Sequence, residues 1–199
     1  MQYLPLVFVV VFAALALAMP LIRLSRKHGL WGIVAGKDAV QSAMVTALLG
    51  AVVAVLVWTL LLAVLGTSTL GVWAAPKWFP IAGAVVAISG LVLVVVAQIQ
   101  MGASWRIGIS ETPTELVTQG VFRWVRHPIY TGVVALLLGL VLMSPSPWTI
   151  MGACWLGSLI NVQARLEEAA IGPHAGPAFD SWARQTGRFF PGVGKWPNG

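Results

Sequence analysis

The chain has 199 residues, of which 58% are hydrophobic and only 9% charged. A soluble domain carries about 25% charged residues, so this composition excludes an ordinary soluble enzyme and indicates a membrane protein. The formal net charge of +6 comes from basic residues that lie beside apolar segments, which indicates membrane orientation rather than nucleic-acid binding.

Three segments are apolar over the ~20 residues that a helix needs to cross a bilayer. They cover residues 4–24, 43–65 and 79–99. A fourth apolar stretch, residues 130–162, is interrupted by Ser144-Pro145-Ser146-Pro147, and paired prolines end a helix. It predicts a tight hairpin of two short spans, residues 130–143 and 148–163. The sequence therefore predicts an all-α polytopic membrane protein with about five transmembrane helices.

Two polar segments accompany these spans. Residues 101–129 form a connector that is too short for a domain of its own and too polar for lipid, so we expect it to cover helix ends. Residues 176–191 mix aromatic and charged side chains, which is typical of a short interfacial helix that serves as an anchor or as a flap over a site. We interpret residues 1–199 as a single membrane domain, with three spans in 1–100 and the connector, hairpin and tail in 101–199.

The basic residues indicate which end of the bundle faces the cytoplasm. With five spans, all the basic residues except Lys77 fall on one side, together with all the acidic residues and histidines. Lys and Arg are in excess in cytoplasmic loops. We therefore expect the N-terminus outside, the C-terminus in the cytoplasm, and any polar chemistry on the cytoplasmic side.

The start of the fourth span carries an unexplained pair of cations. Pro128 suits a first helical position and Tyr130 a membrane interface. Arg126 and His127 do not suit a helix N-terminus, whose partial positive charge disfavours cations unless an anionic partner is present. We expect that partner to be a bound anion or a carboxylate from the end of the fifth helix.

The end of the fifth helix supplies such carboxylates. At helical spacing Asn161, Arg165 and Glu168 fall on one face. One interpretation is a solvated helix end with an Arg165–Glu168 pair. The other is a cavity, because polar groups such as Asn161 and Gln163 near lipid depth usually face the protein interior.

Four motifs together resemble a known family. They are Leu-Val-Thr-x-Gly-Val-Phe at residues 116–122, Arg-His-Pro-x-Tyr-x-Gly at 126–132, Arg-x-Glu-Glu at 165–168 and Gly-Arg-Phe-Phe-Pro at 187–191. In this order they resemble the isoprenylcysteine carboxyl methyltransferase family and its phospholipid N-methyltransferase relatives, over residues 100–191. The resemblance implies a membrane methyltransferase with a pocket for S-adenosylmethionine beneath the hairpin.

The resemblance also implies roles for individual residues. It places around S-adenosylmethionine the residues Leu116, Val117, Gly120, His127, Pro128, Tyr130 and Glu168. It also places Arg165 toward the reacting groups. From the chemistry and helical spacing of the residues we expect Arg165 and Glu167 to act in catalysis, and Asn161 and Arg165 to contact the substrate. A carboxylate acceptor would be held by Arg165 through a forked contact, whereas an amine or phenol would lose its proton to Glu167, Glu168 or His127.

The expected acceptor is a lipophilic molecule that enters from the membrane lipids, and no metal ion is expected. Two alternatives stay open. One is a membrane reductase of the sterol reductase type with a nicotinamide cofactor, because its C-terminal part resembles the same hairpin. The other is a small scaffold or transporter without enzymatic activity. The sequence leaves the oligomeric state and the identity of the acceptor open.

Overall fold

The computed structural model describes residues 2–28, 39–102 and 116–196, so residues 103–115 of the predicted connector lie outside the described part. Within these ranges the chain is helical, and the predicted all-α fold is confirmed. The elements are α1 (Leu4–Ala13), a π turn (Ala14–Ala18), α2 (Met19–His28), α3 (Ala39–Leu65), α4 (Phe79–Met101), a 3-10 turn (Gly120–Arg123), α5 (Pro128–Met143), α6 (Pro147–Ala175) and α7 (Pro177–Gln185).

Among the described residues, three helical segments are long and apolar enough to cross a membrane, namely Leu4–Ile22, Ala39–Leu65 and Phe79–Met101. Each agrees with a predicted span to within four residues. The helix of the fifth span continues past the apolar limit at residue 163, in agreement with the expected position of Glu168 on its end. α6 ends at Ala175 and contains 29 residues. At ~1.5 Å per residue it is about 43 Å long, so its polar end extends beyond the ~30 Å hydrocarbon layer.

The hairpin turn lies where the paired prolines predict it. α5 ends at Met143 and α6 begins at Pro147. Ser146 caps α6, since its hydroxyl accepts the Thr149 N–H at 3.2 Å while the Thr149 hydroxyl accepts the Ser146 N–H at 2.9 Å. The Trp73 N–H donates to the Pro145 carbonyl at 2.8 Å, which brings the α3–α4 loop to this same end. We call it the hairpin end.

Glycines hold α4 and α5 in close contact. A Cβ atom on Gly132 would lie 2.5 Å from the Gly90 carbonyl oxygen, and one on Gly83 would lie 2.6 Å from the Gly139 carbonyl oxygen. α4 and α5 are antiparallel, and the two glycine pairs are seven residues apart along each helix. The helix backbones therefore touch over two turns. Small residues at a helix interface drive packing in lipid, where apolar burial gives little advantage.

We expect Gly132→Ala to destabilise the protein by about 1 to 3 kcal/mol, because the added methyl group overpacks a backbone contact. Thermal melting in detergent measures the change. Gly152→Ala in α6 is the matched control, since a Cβ there meets no atom within 4 Å. Equal melting temperatures for Gly132→Ala and the control would contradict the close packing.

The remaining helices complete a ring around a cavity. α5 packs on α4 and α6, α6 on α3, α3 on α1, and the π turn on α4. Each of the five spans contributes at least one side chain to the buried apolar core, namely Val9, Ala51, Ala87, Leu140 and Ile160. The start of α5, the end of α6 and the tail after α7 meet at the end of the ring opposite the hairpin end. We call this the polar end.

Candidate functional site

Arg126 is the central cation of the polar end, and 1% of its side chain is exposed. Its Nε donates to Glu168 Oε1 at 2.8 Å. Its Nη1 donates to the Ala183 and Thr186 carbonyls at 2.9 and 2.6 Å, and its Nη2 to the Gly194 carbonyl at 2.7 Å. A carboxylate from the last spanning helix is therefore the anionic partner that the sequence requires.

Glu168 receives donors from three side chains. Besides Arg126, the Arg188 Nη2 donates to its Oε2 at 2.7 Å, and the His127 Nε2 lies 3.3 Å from its Oε1. Burial raises the pKa of Glu168, but hydrogen bonds from His127, Arg188 and Arg126 outweigh this effect and lower the pKa to about 2. Glu168 is thus an ionised carboxylate whose hydrogen-bonding capacity is used within the protein.

The C-terminal tail is fastened to the start of α5 by its backbone. The Arg126 and His127 N–H groups donate to the carbonyls of Gly187 and Arg188 at 2.8 and 3.1 Å. The Thr131 hydroxyl donates to the Phe189 carbonyl at 2.8 Å. These contacts attach the tail to the start of α5, and its role as an anchor or as a flap over a site stays a prediction.

Glu167 has a different environment from Glu168. The Tyr130 hydroxyl donates to its Oε1 at 2.5 Å and the Gln163 Nε2 donates to the same oxygen at 3.0 Å. Its Oε2 lies 3.5 Å from His127 Nδ1, and 22% of its side chain is exposed. Two of its three neighbours are neutral, so this carboxylate keeps capacity for a further donor or cation.

His127 links the two carboxylates. Its ring stacks on Tyr130, with a centroid distance of 5.6 Å and an interplanar angle of 21°. Burial lowers the pKa of His127, but the hydrogen bonds and charges of Glu167 and Glu168 outweigh it and raise the pKa above 6.5. His127 is therefore protonated more readily here than in the unfolded chain.

We expect His127→Gln to flatten the dependence of thermal stability on pH. Because the folded pKa is raised, the contribution of His127 to stability is complete below the unfolded pKa of 6.5 and is lost as the pH rises through the folded pKa. The melting temperature of the wild-type protein should fall as the pH rises above 6.5 and through the folded pKa of His127, while Glu168 stays ionised. The variant should show a shallower fall, and parallel curves would contradict this role.

A cavity of about 290 Å³ joins the polar end to the middle of the ring. Its polar lining includes His127, Tyr130, Gln163 and Glu167. Its apolar lining comes from α1, the π turn, α3, α5 and α6, and includes Val9, Phe12, Leu48, Val52, Val55, Val133, Leu156 and Ile160. The size is at the lower end of ligand pockets, and the lining changes from charged to apolar along the cavity.

Most of the residues that the resemblance implies line this cavity. They are Leu116, Val117, His127, Pro128, Tyr130, Glu167 and Glu168. Gly120 does not line it. Its φ of +61° begins the 3-10 turn, where the next residue, Val121, donates its N–H to Gln100 Oε1 at 2.9 Å. A turn that requires glycine explains this position.

Asn161 and Arg165 do not line the cavity, and Arg165 is exposed. The lining positions of α6 lie three or four residues apart, and include Leu156, Ile160, Gln163, Glu167 and Ile171. At 100° per residue, Arg165 points about 160° away from this stripe and Asn161 about 120° away. Of the three residues on the expected shared face, Glu168 lines the cavity whereas Asn161 and Arg165 do not. Glu168, the expected partner of Arg165, is bound to Arg126 and Arg188 instead.

Sequence reasoning did not select several residues of the site. Gln163 was expected to face the interior or a cavity, and it lines the cavity. Gln98 was not selected but was detectable by the same argument, because amide side chains inside apolar helices usually face a cavity. Arg188 lies in a tail motif that gave no reason to pair it with Glu168. The apolar lining from α1 and α3 has no sequence signal, since those helices are apolar on every face.

Residues 78–172 match the family model of the phospholipid methyltransferases. A comparison with curated proteins found no match. The matched segment contains α4, α5 and most of α6, together with the Arg126–Tyr130 motif and both glutamates of the site. The match confirms the resemblance to this type of membrane methyltransferase, and it leaves α1 to α3 and the tail outside.

Proposed function

We propose that this membrane protein transfers a methyl group from S-adenosylmethionine to a lipophilic acceptor that lies in the bilayer. The family match supports methyl transfer to a lipid-type molecule. The observation that carries the proposal is the cavity itself, because it connects a partly exposed carboxylate, Glu167, to apolar walls inside the membrane. A water-soluble cofactor and a hydrocarbon chain can meet in such a space.

The polar part of the cavity fits the chemistry of the cofactor. S-adenosylmethionine, when bound, supplies a methyl group on a positively charged sulfur and also carries an ammonium group. Glu167 offers an anionic surface to such cations, since its neighbours Tyr130 and Gln163 are neutral. Leu116, Val117 and Pro128 would provide apolar contacts. Glu168 would act as a positioning residue, because its carboxylate is bound by Arg126, His127 and Arg188.

The apolar part fits the hydrocarbon portion of the acceptor. Its walls on α1 and α3 are made of aliphatic and aromatic side chains, including Phe12, Leu48, Val52 and Val55. Such walls hold a chain without orienting it, so the polar group of the acceptor must be oriented at the polar end. In a displacement at carbon, the main contribution of the protein to the rate is to hold the two reactants at reacting distance and in the right orientation.

The placement of the charges favours an acceptor with an N–H or O–H group over a carboxylate. Arg165 lies outside the cavity, and the guanidinium groups of Arg126 and Arg188 donate to Glu168. Glu167 is placed to accept a hydrogen bond from the acceptor and to take its proton as the nucleophilic lone pair becomes engaged. A lipid amine or hydroxyl fits this arrangement.

We also propose that the polar end faces the cytoplasm and that the N-terminus lies outside. The excess of basic residues at this end supports the orientation. The Gln2 side chain donates to the Ala63 carbonyl at 3.2 Å, which places the N-terminus beside the end of α3, at the hairpin end. Cofactor from the cytoplasm would then reach the polar end directly.

Calorimetric titration of the detergent-purified protein tests the proposal. S-adenosylhomocysteine, the demethylated cofactor, should bind, whereas a nicotinamide dinucleotide phosphate should not. Isotope-labelled S-adenosylmethionine with a native lipid extract should then yield a labelled lipophile in the mass spectrum. Binding of the nicotinamide compound alone would favour the reductase alternative, and binding of neither would contradict both enzymatic functions.

A further inference from the structure

The π turn in the first span lies beside an unusual backbone carbonyl. In this turn the Met19 N–H bonds to the Ala14 carbonyl, five residues back. Pro20 follows and has no N–H, so the Ala16 carbonyl lacks the donor that residue i+4 supplies in an α-helix. The Gln98 Nε2 of α4 donates to this carbonyl at 2.6 Å. Gln98 therefore supplies a hydrogen bond to the carbonyl that lost its donor because of Pro20. Backbone groups that a proline leaves unbonded inside a membrane helix need such a partner, since lipid offers none.

This hydrogen bond lies at the wall of the cavity. Gln98 lines the cavity, and so do Ala13, Ala16 and Leu17 around the turn. Two of these three residues of the first span are alanines, whose side chains add little bulk. The width of the cavity at this point is set by the position of the backbone, and Gln98 connects that backbone to α4.

We infer that Gln98 is a positioning residue that determines acceptor specificity. By holding the π turn through the Ala16 carbonyl, Gln98 fixes one wall of the apolar part of the cavity, which we call the apolar compartment. It thereby limits the length of the hydrocarbon chain that fits in this compartment. The inference rests on the proposed function only in naming the acceptor as the occupant. It also assigns a role to the first span, which lies outside the matched family segment.

Chain-length profiles measure the size of the compartment directly. Affinity for n-alkylamines of about 8 to 16 carbons should rise by about fourfold per buried methylene and level off once the compartment is full. The chain length at which it levels off is the readout. Gln98→Leu removes the donor at similar volume. Ser89→Ala is the matched control, because it removes a polar group from the exposed face of the same helix.

Gln98→Leu should move the levelling point to longer chains and weaken binding of the chain that fills the wild-type compartment by about three- to tenfold. The affinity of Gln98→Leu for S-adenosylhomocysteine should stay within about twofold of the wild-type value, because the Gln98–Ala16 hydrogen bond does not contact the proposed cofactor site. Pro20→Ala restores a backbone N–H at residue 20, so the double variant Gln98→Leu/Pro20→Ala should recover the wild-type levelling point.

Three results distinguish this inference from its alternatives. A lower melting temperature with an unchanged levelling point would overturn it, because the bond would then be structural only. A parallel loss of S-adenosylhomocysteine affinity would overturn it in favour of a cofactor role for Gln98. A shifted levelling point in a protein that binds no S-adenosylhomocysteine would support the role of Gln98 and contradict the proposed methyl transfer.

Discussion

Arg126→Met is expected to lower the free energy of unfolding by about 3 to 5 kcal/mol, because it leaves the buried Glu168 without one of its two guanidinium partners. The exposed fraction of the Glu168 side chain is 3%, so water cannot replace the lost donor. The carbonyls of Ala183, Thr186 and Gly194 lose their donors as well. Thermal melting and limited trypsin digestion check the result, since the tail should detach and be cut at Arg184 or Arg188.

Arg123→Met provides the matched control for this experiment. Arg123 lies three residues earlier, is exposed, and stacks over Trp124 at 5.1 Å from the ring centroid. Its replacement should change stability by no more than about 0.5 kcal/mol. If both variants kept wild-type melting temperatures and a protected tail, the proposed fastening of the tail by Arg126 would be wrong.

Glu167→Gln is expected to lower the turnover of methyl transfer by about a hundredfold or more, the usual contribution of a general base. The amide keeps the size of the side chain and still accepts the Tyr130 hydrogen bond, but it cannot take a proton. Affinity for S-adenosylhomocysteine should change less than turnover, because that compound has lost the positive charge on sulfur and keeps only its ammonium group as a partner for Glu167. Initial rates with a native lipid extract and saturating S-adenosylmethionine measure the loss of turnover.

Asp180→Asn is the matched carboxylate variant for Glu167→Gln. Asp180 lies in the first turn of α7 and does not line the cavity. Its replacement should leave turnover within about twofold, as for a substitution away from the reacting groups. Wild-type turnover in Glu167→Gln would remove the base from the proposed mechanism. A loss of turnover that merely follows a lower melting temperature would also remove it.

The helices could be predicted from the sequence because their signals are local. Apolar segments of sufficient length give the first three spans, and Pro145 and Pro147 mark the hairpin turn. The exact end of α6 could not be predicted, because a hydrophobicity signal stops where apolar residues stop, near residue 163. The helix itself continues, since Ala, Arg, Leu and Glu all have high helix propensity and polar partners at the polar end accommodate their charges.

The site was predictable only in part, because contacts between distant segments have no local signal. A cation such as Arg126 at the start of a helix is unfavourable without an anionic partner, and this argument correctly predicted a carboxylate of α6, Glu168. The rotation of α6 was misjudged because Arg165 and Glu168 are close in sequence, whereas the actual partner of Glu168 in the tail is Arg188, 20 residues away. The wall on α1 and α3 depends on packing between helices that are apolar all round.

The glycine contacts between α4 and α5 have a consequence for biosynthesis. Ribosomes make the chain from its N-terminus, so α1 to α3 enter the bilayer before either member of the tightest helix pair exists. Until α4 arrives, the Ala16 carbonyl lacks its Gln98 donor, and the first span packs on α3 without the contact that fixes its π turn. We expect newly made chains that end before residue 143 to be selectively degraded, because the translocon would release helices whose docking partner is still missing.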